Sequence, residues 1–383
     1  MDYRFKKQIF GFMDLLRFKK LVPNRRRHLE EGSPTHLPES YRVNDTAAVL
    51  HPGPQKAVLS EIIRQTADTK TYTFDLTSPM FFRAGQYVTV RAEIDGAIVQ
   101  RPYAVSSSPL TALREKKLSV TVKKAGFFSG WLFENAKEGD EFTVGDPSGD
   151  FYHDGIRDSF HVVGIAGGSG ITPFYSMAQA VKEGSEDFDL TLIYGARTLK
   201  DIAFADKLKA LTGDKFRFVC VLSDEKQEGF EHGFITADII KKYAASDDFT
   251  AMMCGPEAMY KFVGKELESL GITGKRVRKE ANCIGNRDVK PVEYNLKVSI
   301  GGEDFEIKAR SDETILTAME RAGLKVPSKC RAGGCGYCHS KLVSGKYTIS
   351  GIDKRRLADS KFSYIHPCCS YPDSDMELIV PNG

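Results

Sequence analysis

The sequence predicts a multidomain chain of β and α/β parts: a small antiparallel β-barrel, a doubly wound parallel α/β domain, and a last compact unit built around cysteines. Three observations carry this. Short β-rich runs recur at regular spacing between residues 55 and 157, and apolar strands alternate with helical stretches between 158 and 280. Five of the eight cysteines crowd between positions 330 and 369.

Residues 1–54 precede the first of these parts. Phe5, Ile9, Phe12, Met13 and Leu16 recur at helical intervals with Lys and Arg between them, which predicts a basic amphipathic helix over 1–22. Prolines 23, 34, 38, 52 and 54 then predict an extended linker. Residues 1–28 hold nine Lys/Arg against Asp2 and Asp14, while the whole chain nets only +3, so the remainder is acidic on balance. That balance gives no reason to expect a nucleic-acid partner. The helix is expected either to pack on the protein's own body or to dock on a partner or an anionic membrane surface.

No run of about 18 apolar residues occurs, so no transmembrane helix is expected. The basic N-terminal stretch has no uninterrupted apolar core or small-residue cleavage site, and the cysteines are not spread as a disulfide framework would be. A reducing cytoplasmic setting is expected, with the helix as the one means of resting on the inner face of a membrane.

The barrel is read over 55–157 from KAVLSEIIR, TYTFDLT, QYVTVRAEI, AIVQRPYAV and KLSVTVKK, with Asp95-Gly96 as a hairpin turn and one short helix at SGWLFENAK. In RPYAVSSSP, Arg101 to Pro109, the forked guanidinium of Arg101 suits a phosphate and Tyr103 can cover a planar ring or a sugar. Lys124 to Ser129 opens the helix, a place where free backbone N–H groups favour an anion.

The α/β domain is read over 158–280. VVGIAGGSGITPFYSMA leads from a buried strand through Gly167, Gly168 and Gly170 to Thr172 as helix N-cap and Pro173 as first helical position. Glycines let the backbone approach a ligand closely, and a pyrophosphate is the natural occupant. A second turn, Cys254-Gly255-Pro256, ends a later strand, and the two are expected to converge on one crevice. Asp224 and Glu225, after a further strand, would repel a 2′-phosphate and favour NADH, while Arg197 and Lys226 keep NADPH open.

Residues 281–292 read as a linker and 293–383 as the final unit, with strands EYNLKVSI and EDFEIKA, a helix around ETILTAMERAG and the loop KCRAGGCGYCHSKL. Cys330, Cys335 and Cys338 follow C-x4-C-x2-C, with Cys368 after a further 29 residues, the plant-type [2Fe–2S] spacing. Gly333, Gly334 and Gly336 would relax the backbone around the cluster. Structural zinc, the alternative, generally shows paired C-x2–4-C knuckles.

RPYAVSSSP, GFFS, GDPSGDF, GGSGITP and CGPEAM, in that order over about residues 55–280, resemble the ferredoxin–NADP reductase superfamily. CRAGGCGYC and CCSYPDSD resemble the plant-type ferredoxin domain, a β-grasp fold in which Pro follows the last ligand at its fourth position. Cys368 has Pro372 there and Cys369 does not. The resemblance implies a flavin-binding barrel, an NAD(P)H-binding domain and a [2Fe–2S] domain. Arg101 would contact flavin phosphate, Tyr103 would pack on the flavin, and Gly126, Phe128 and Ser129 would hold the FAD pyrophosphate. Gly167, Gly168, Gly170, Thr172 and Pro173 would hold the nucleotide, with Cys254, Gly255 and Pro256 beside the nicotinamide.

Cys254, Tyr103 and Ala104 would flank the hydride path. Ala104 departs from the pattern, which has Ser or Thr there, so a hydroxyl near flavin N5 is missing. No acid–base pair is demanded, and His153, His161 and His339 read as ordinary histidines. The implied activity is electron transfer from NADH or NADPH through FAD and the cluster to a separate acceptor protein such as an oxygenase, recognised by the surface around Arg331 to Tyr337. A diaphorase reducing a small acceptor directly, or a redox-sensing module, are the competing readings.

Overall fold

The computed structural model describes residues 12–32, 41–94, 96–280, 284–349 and 357–381. They fall into two compact units, Met1–Ala47 and Ala48–Gly383. In the first, one helix runs Phe12–Gly32 with Pro23 inside it, and a second starts at Arg42. The expected linker is therefore corrected, since residues 23–32 and 42–50 are helical. Pro23 removes one helical hydrogen bond, but the Arg, Leu and Glu that follow are strong helix formers, and Arg27 meets Glu31 one turn on at 3.9 Å. Phe5 and Ile9 lie outside the described residues.

In the second unit, six antiparallel strands lie in the order Ala97–Ala104, Tyr87–Ile94, Glu141–Val144, Gln55–Arg64, Thr69–Leu76, Lys117–Lys123. A bridge from Val105 to Val120 joins the two edges and closes the barrel. Alternate residues turn inward, so Leu59, Phe74, Val88, Val90, Leu118, Val120 and Val144 form its core. Ile94 pairs with Ala97 across the expected hairpin, whose Asp95 lies outside the described residues. Besides the expected helix, found at Phe127–Asn135, a second forms at Pro109–Arg114, where Ser108 Oγ caps Leu110 N–H at 3.1 Å. Ser then Pro is an N-cap and first-turn signal that the sequence reading assigned to the strand end.

The next sheet is wholly parallel, in the order Glu231–His232, Phe216–Leu222, Asp189–Ala196, His161–Gly167, Phe249–Cys254, Val277–Lys279. Apolar residues fill both faces, Val162, Leu190 and Leu192 on one and Val163, Ile165 and Ile193 on the other, as a sheet covered on two sides requires. The order reverses between His161–Gly167 and Phe249–Cys254, which opens a crevice at their carboxyl ends.

A mixed five-stranded sheet follows, Glu303–Arg310, Glu293–Ile300, Met376–Val380, Ser340–Ser344 and Tyr364–Ile365. It holds the helix Ile315–Arg321, whose Ile315, Leu316 and Met319 pack with Leu296, Val298 and Leu378. This is the grasp arrangement expected of the last unit.

Candidate functional site

The two glycine turns meet at the crevice. A Cβ on Gly170 would lie 1.9 Å from the Cys254 carbonyl oxygen, and one on Gly167 would lie 2.8 Å from Met259 Sδ and 3.1 Å from Pro256 Cδ. At Gly170, where the neighbour is backbone, only glycine permits this approach. The helix here runs Ile171–Glu183 after a tight turn at Gly168–Gly170, so its N-cap is Gly170 and not Thr172. Thr172 Oγ donates back to Ser169 O at 2.8 Å, and Thr172 and Pro173 are buried second and third helical residues. Their side chains support the turn from behind.

Two tyrosines missed by the sequence reading hold these turns. Tyr194 donates to Gly168 O at 2.9 Å, and Tyr260 accepts from Gly255 N–H at 3.2 Å while donating to Glu280 O at 2.9 Å. The available signal was a tyrosine inside an apolar strand or helix face, whose buried hydroxyl must find a partner. Burial, reinforced by the Glu280 carboxylate, raises the Cys254 thiol well above its usual range. Cys254 is thus a neutral wall at physiological pH and not a nucleophile.

On the barrel, Arg101 Nη1 donates to Gln100 O at 2.7 Å and reaches Glu320 Oε2 at 3.2 Å. Tyr103 stacks on Phe128 at 6.3 Å, and Phe128 on Trp131 at 6.3 Å. The Phe128 side chain is 1% exposed in the barrel core. An aromatic at the second helical position turns inward to cover the barrel end. Ser129 Oγ accepts from Gly126 N–H at 2.8 Å and Ala125 N–H at 3.0 Å, so it shapes the turn at the helix start. Ala104 pairs with Tyr87 across the hairpin.

The three serines that follow brace the nucleotide sheet's helix. Gln179 donates to Ser106 O at 2.8 Å, Ser176 to Ser107 O at 2.7 Å, and Ser108 to Glu183. On the edge strand Val277–Lys279, Arg278 pairs with the buried Asp158 at 2.5 Å and donates to the backbone at Asp150 and Tyr152.

In the cysteine loop, Ala332 N–H and Cys335 N–H point to Cys330 Sγ at 3.4 Å each, Gly333 N–H to Cys368 Sγ at 3.3 Å and Tyr337 N–H to Cys335 Sγ at 3.5 Å. Gly333 and Gly336 have left-handed φ of 73° each, as expected; Gly334 does not, and Arg331 does, at 52°. Contact with the sulfurs of Cys335 and Cys368 drives the Cys330 thiol far below its usual range, and contact with Cys368 lowers that of Cys338. The same contacts raise Cys335 and Cys368.

Four cysteine sulfurs this close cannot all ionise without positive charge between them, which iron would supply. Among the described residues no set of three or more Cys, His, Asp or Glu is arranged to hold a lone metal ion. Cys369 Sγ donates to His366 O at 3.4 Å. His153 stacks on Phe188, His161 faces Asp189, and His339 stacks on Tyr364, all packing roles.

At the far end of the crevice sheet, Arg197 Nε meets Asp224 Oδ2 at 3.0 Å, and Glu225 accepts from Leu199 N–H at 2.6 Å. Arg331, expected on the acceptor surface, is only 6% exposed and turned inward to Glu320; Gly334, Cys335 and Tyr337 are the exposed members of that stretch.

A closed antiparallel barrel, a parallel sheet with a glycine crevice and a cluster of four thiols together fit a pyridine-nucleotide-dependent flavoprotein reductase with an iron–sulfur domain. Residues 56–153 match the oxidoreductase FAD-binding domain, 165–265 the oxidoreductase NAD-binding domain and 298–373 the 2Fe-2S iron-sulfur cluster binding domain. The chain is 31% identical over 355 residues to the glycine betaine monooxygenase reductase subunit of Chromohalobacter salexigens, covering 83% of this chain and 93% of that protein. It is 30% identical to the ferredoxin reductase component of 3-ketosteroid-9-alpha-monooxygenase from Rhodococcus rhodochrous (86% and 98% covered). NADH oxidoreductase HCR of Escherichia coli is 28% identical (85% and 97% covered). Among solved structures, phthalate dioxygenase reductase superposes with a TM-score of 0.65 at 22% identity, over 86% of this chain and 98% of that one.

The chain belongs to the ferredoxin–NADP reductase superfamily, in the branch that carries a C-terminal plant-type [2Fe–2S] domain. It is an NAD(P)H-dependent iron–sulfur flavoprotein reductase that passes electrons through FAD and the cluster to a separate redox acceptor. Among the described residues no helix is long and apolar enough to cross a membrane.

Proposed function

We propose that the electrons come from NADH and leave singly to an oxygenase-type partner. One observation supports this above the others. The strand end Gln100–Ser108 touches the helix Ile171–Glu183 through its serines and the cysteine-bearing domain through Gln100 and Arg101. A flavin seated on that strand end would have the nucleotide crevice on one side and the cluster loop on the other. Bound there, FAD exchanges the paired electrons of a hydride for single ones.

On this reading residues 55–157, 158–280 and 293–383 serve as the flavin, nucleotide and cluster domains. Arg101 neutralises flavin phosphate, Tyr103 covers the ring, and Gly126 with the amides of Phe128 and Ser129 meets the pyrophosphate. Gly167, Gly168 and Gly170 admit the nucleotide, held in shape by Thr172 and Pro173, while Cys254, Gly255 and Pro256 wall the nicotinamide from water. Ala104 presents a methyl group beside the flavin. Cys330, Cys335, Cys338 and Cys368 hold the cluster. Asp224, which occupies Arg197, supports NADH over NADPH. Exposed Phe18 and Leu21 beside exposed Arg17, Lys19 and Lys20 support docking of the first helix on an acidic partner or an anionic membrane.

Cys368→Ser tests the route. The variant should keep NADH-driven reduction of a two-electron dye and lose NADH-driven reduction of cytochrome c. Cytochrome c reduction at the wild-type rate would place the exit at the flavin and favour a diaphorase.

A further inference from the structure

We propose that Glu320 is a positioning residue that clamps the loop of the first cluster cysteine onto the flavin barrel. The inference rests on the electron-transfer reading above and adds to it the contact that sets the distance between flavin and cluster domains. Glu320 is in the last turn of the helix Ile315–Arg321. Its Oε2 meets Arg101 Nη1 of the barrel at 3.2 Å and its Oε1 meets Arg331 Nη1 of the cysteine loop at 2.5 Å. The Glu320 side chain keeps 11% of its exposure, Arg331 6% and Arg101 21%, so this is a largely buried Arg–Glu–Arg triad and not a surface pair.

The neighbouring contacts point the same way. Gln100 Nε2 donates to Ser328 O at 2.6 Å and Ser328 Oγ at 2.9 Å, and Arg91 orients Gln100 by donating to its Oε1 at 3.0 Å. Lys329 Nζ meets Asp146 Oδ2 at 2.6 Å. Ser328, Lys329 and Arg331 surround Cys330, so the barrel holds the residues before this ligand directly and the one after it through Glu320. Arg331 adopts its left-handed φ of 52° in this grip, a conformation that a non-glycine residue holds only when its surroundings enforce it.

A ligand loop fixed in this way cannot drift from the flavin, and electron tunnelling slows steeply with distance. Arg101 carries five N–H donors, so pairing with Glu320 is compatible with a role toward flavin phosphate. The clamp would then join the phosphate-binding residue directly to the cluster loop.

Glu320→Gln in the full-length, cofactor-loaded protein is the test, read by anaerobic stopped flow, iron content and hydrogen exchange. Iron content and flavin reduction by NADH should match wild type. Cluster reduction by the flavin should slow by about tenfold or more, as misplacement of a reacting group does, and Glu320→Asp should recover most of it. Amides of residues 329–334 should exchange faster in the variant, in cofactor-free protein as well as loaded protein. Cluster reduction and exchange both at wild-type rates would overturn the proposal. If Glu320→Gln fails to fold, Gln100→Ala with Lys329→Ala loosens the same grip without stranding a buried charge; wild-type transfer and exchange in that double variant overturns the proposal equally. A wild-type protein whose flavin never reduces its cluster refutes the electron-transfer reading itself, and the exchange rates still judge the clamp.

Discussion

In the proposed function Asp224 would set the nucleotide preference without touching the chemistry. Its carboxylate, held below the usual range by Ser223 and then by Arg197, occupies the guanidinium that a 2′-phosphate would need. Asp224→Ala should raise the ratio of kcat/KM for NADPH to that for NADH by about tenfold, mainly through KM. An unchanged ratio in steady-state assays would mean that the ribose binds elsewhere. Cys369 makes the complementary point. Its spacing argues against ligation, and its thiol donates to His366 O. Glu320 and Arg331 were not legible in the same way. One is an ordinary acidic residue on a helix and the other an ordinary basic residue in a loop. Their significance comes from a contact across more than 200 residues of chain, between Arg101 and Glu320.

At the scale of elements, periodicity made the strands legible and local capping chemistry misled. Thr172-Pro173 has the composition of a helix start, yet the tight turn at Gly168–Gly170 carries the helical path two residues further back. Pro23 has the composition of a break, yet the helix formers after it continue the helix. The convergence of the glycine turns was legible because strand order in a doubly wound sheet dictates it. Gly170→Ala would force the Cys254 carbonyl aside and should raise KM for NADH by tenfold or more, at a stability cost of about 1–3 kcal/mol. Unaltered KM in the folded variant would contradict a nucleotide site there.

The same sheet predicts alkaline sensitivity. Burial pushes Cys220 up to about 12 and raises Cys254 as well. Unfolded thiols ionise near their ordinary value of about 8.5, so above it the unfolded chain binds fewer protons than the native one. Stability contributed by the buried thiols is therefore full below that value and declines as pH rises, by roughly 1.4 kcal/mol per pH unit per thiol until the native thiol ionises. Melts from pH 7 to 10 should show this slope, reduced in Cys220→Ala; equal slopes in both proteins would assign the loss to other groups.

Across the whole molecule, the order of cofactor sites follows the order of the chain, which is why so much of the function could be read in sequence. Each site sits on its own supersecondary motif, and each motif has a local signature. The braces between sites have none. Ser106–Ser108 on Gln179, Ser176 and Glu183, Arg278 on Asp158, and Glu320 between two arginines are long-range pairings of common residues. In the proposed function the serines and Glu320 hold the strand end Gln100–Ser108 between the donor crevice and the exit loop. The most direct test of that arrangement is one anaerobic stopped-flow record, with freeze-quenched EPR, of the loaded protein mixed with NADH. The account predicts that the flavin band falls first and that the signal of the reduced cluster grows only afterwards, at the flavin's expense. A cluster that stays oxidised while the flavin turns over, or one that is reduced before the flavin, would contradict it.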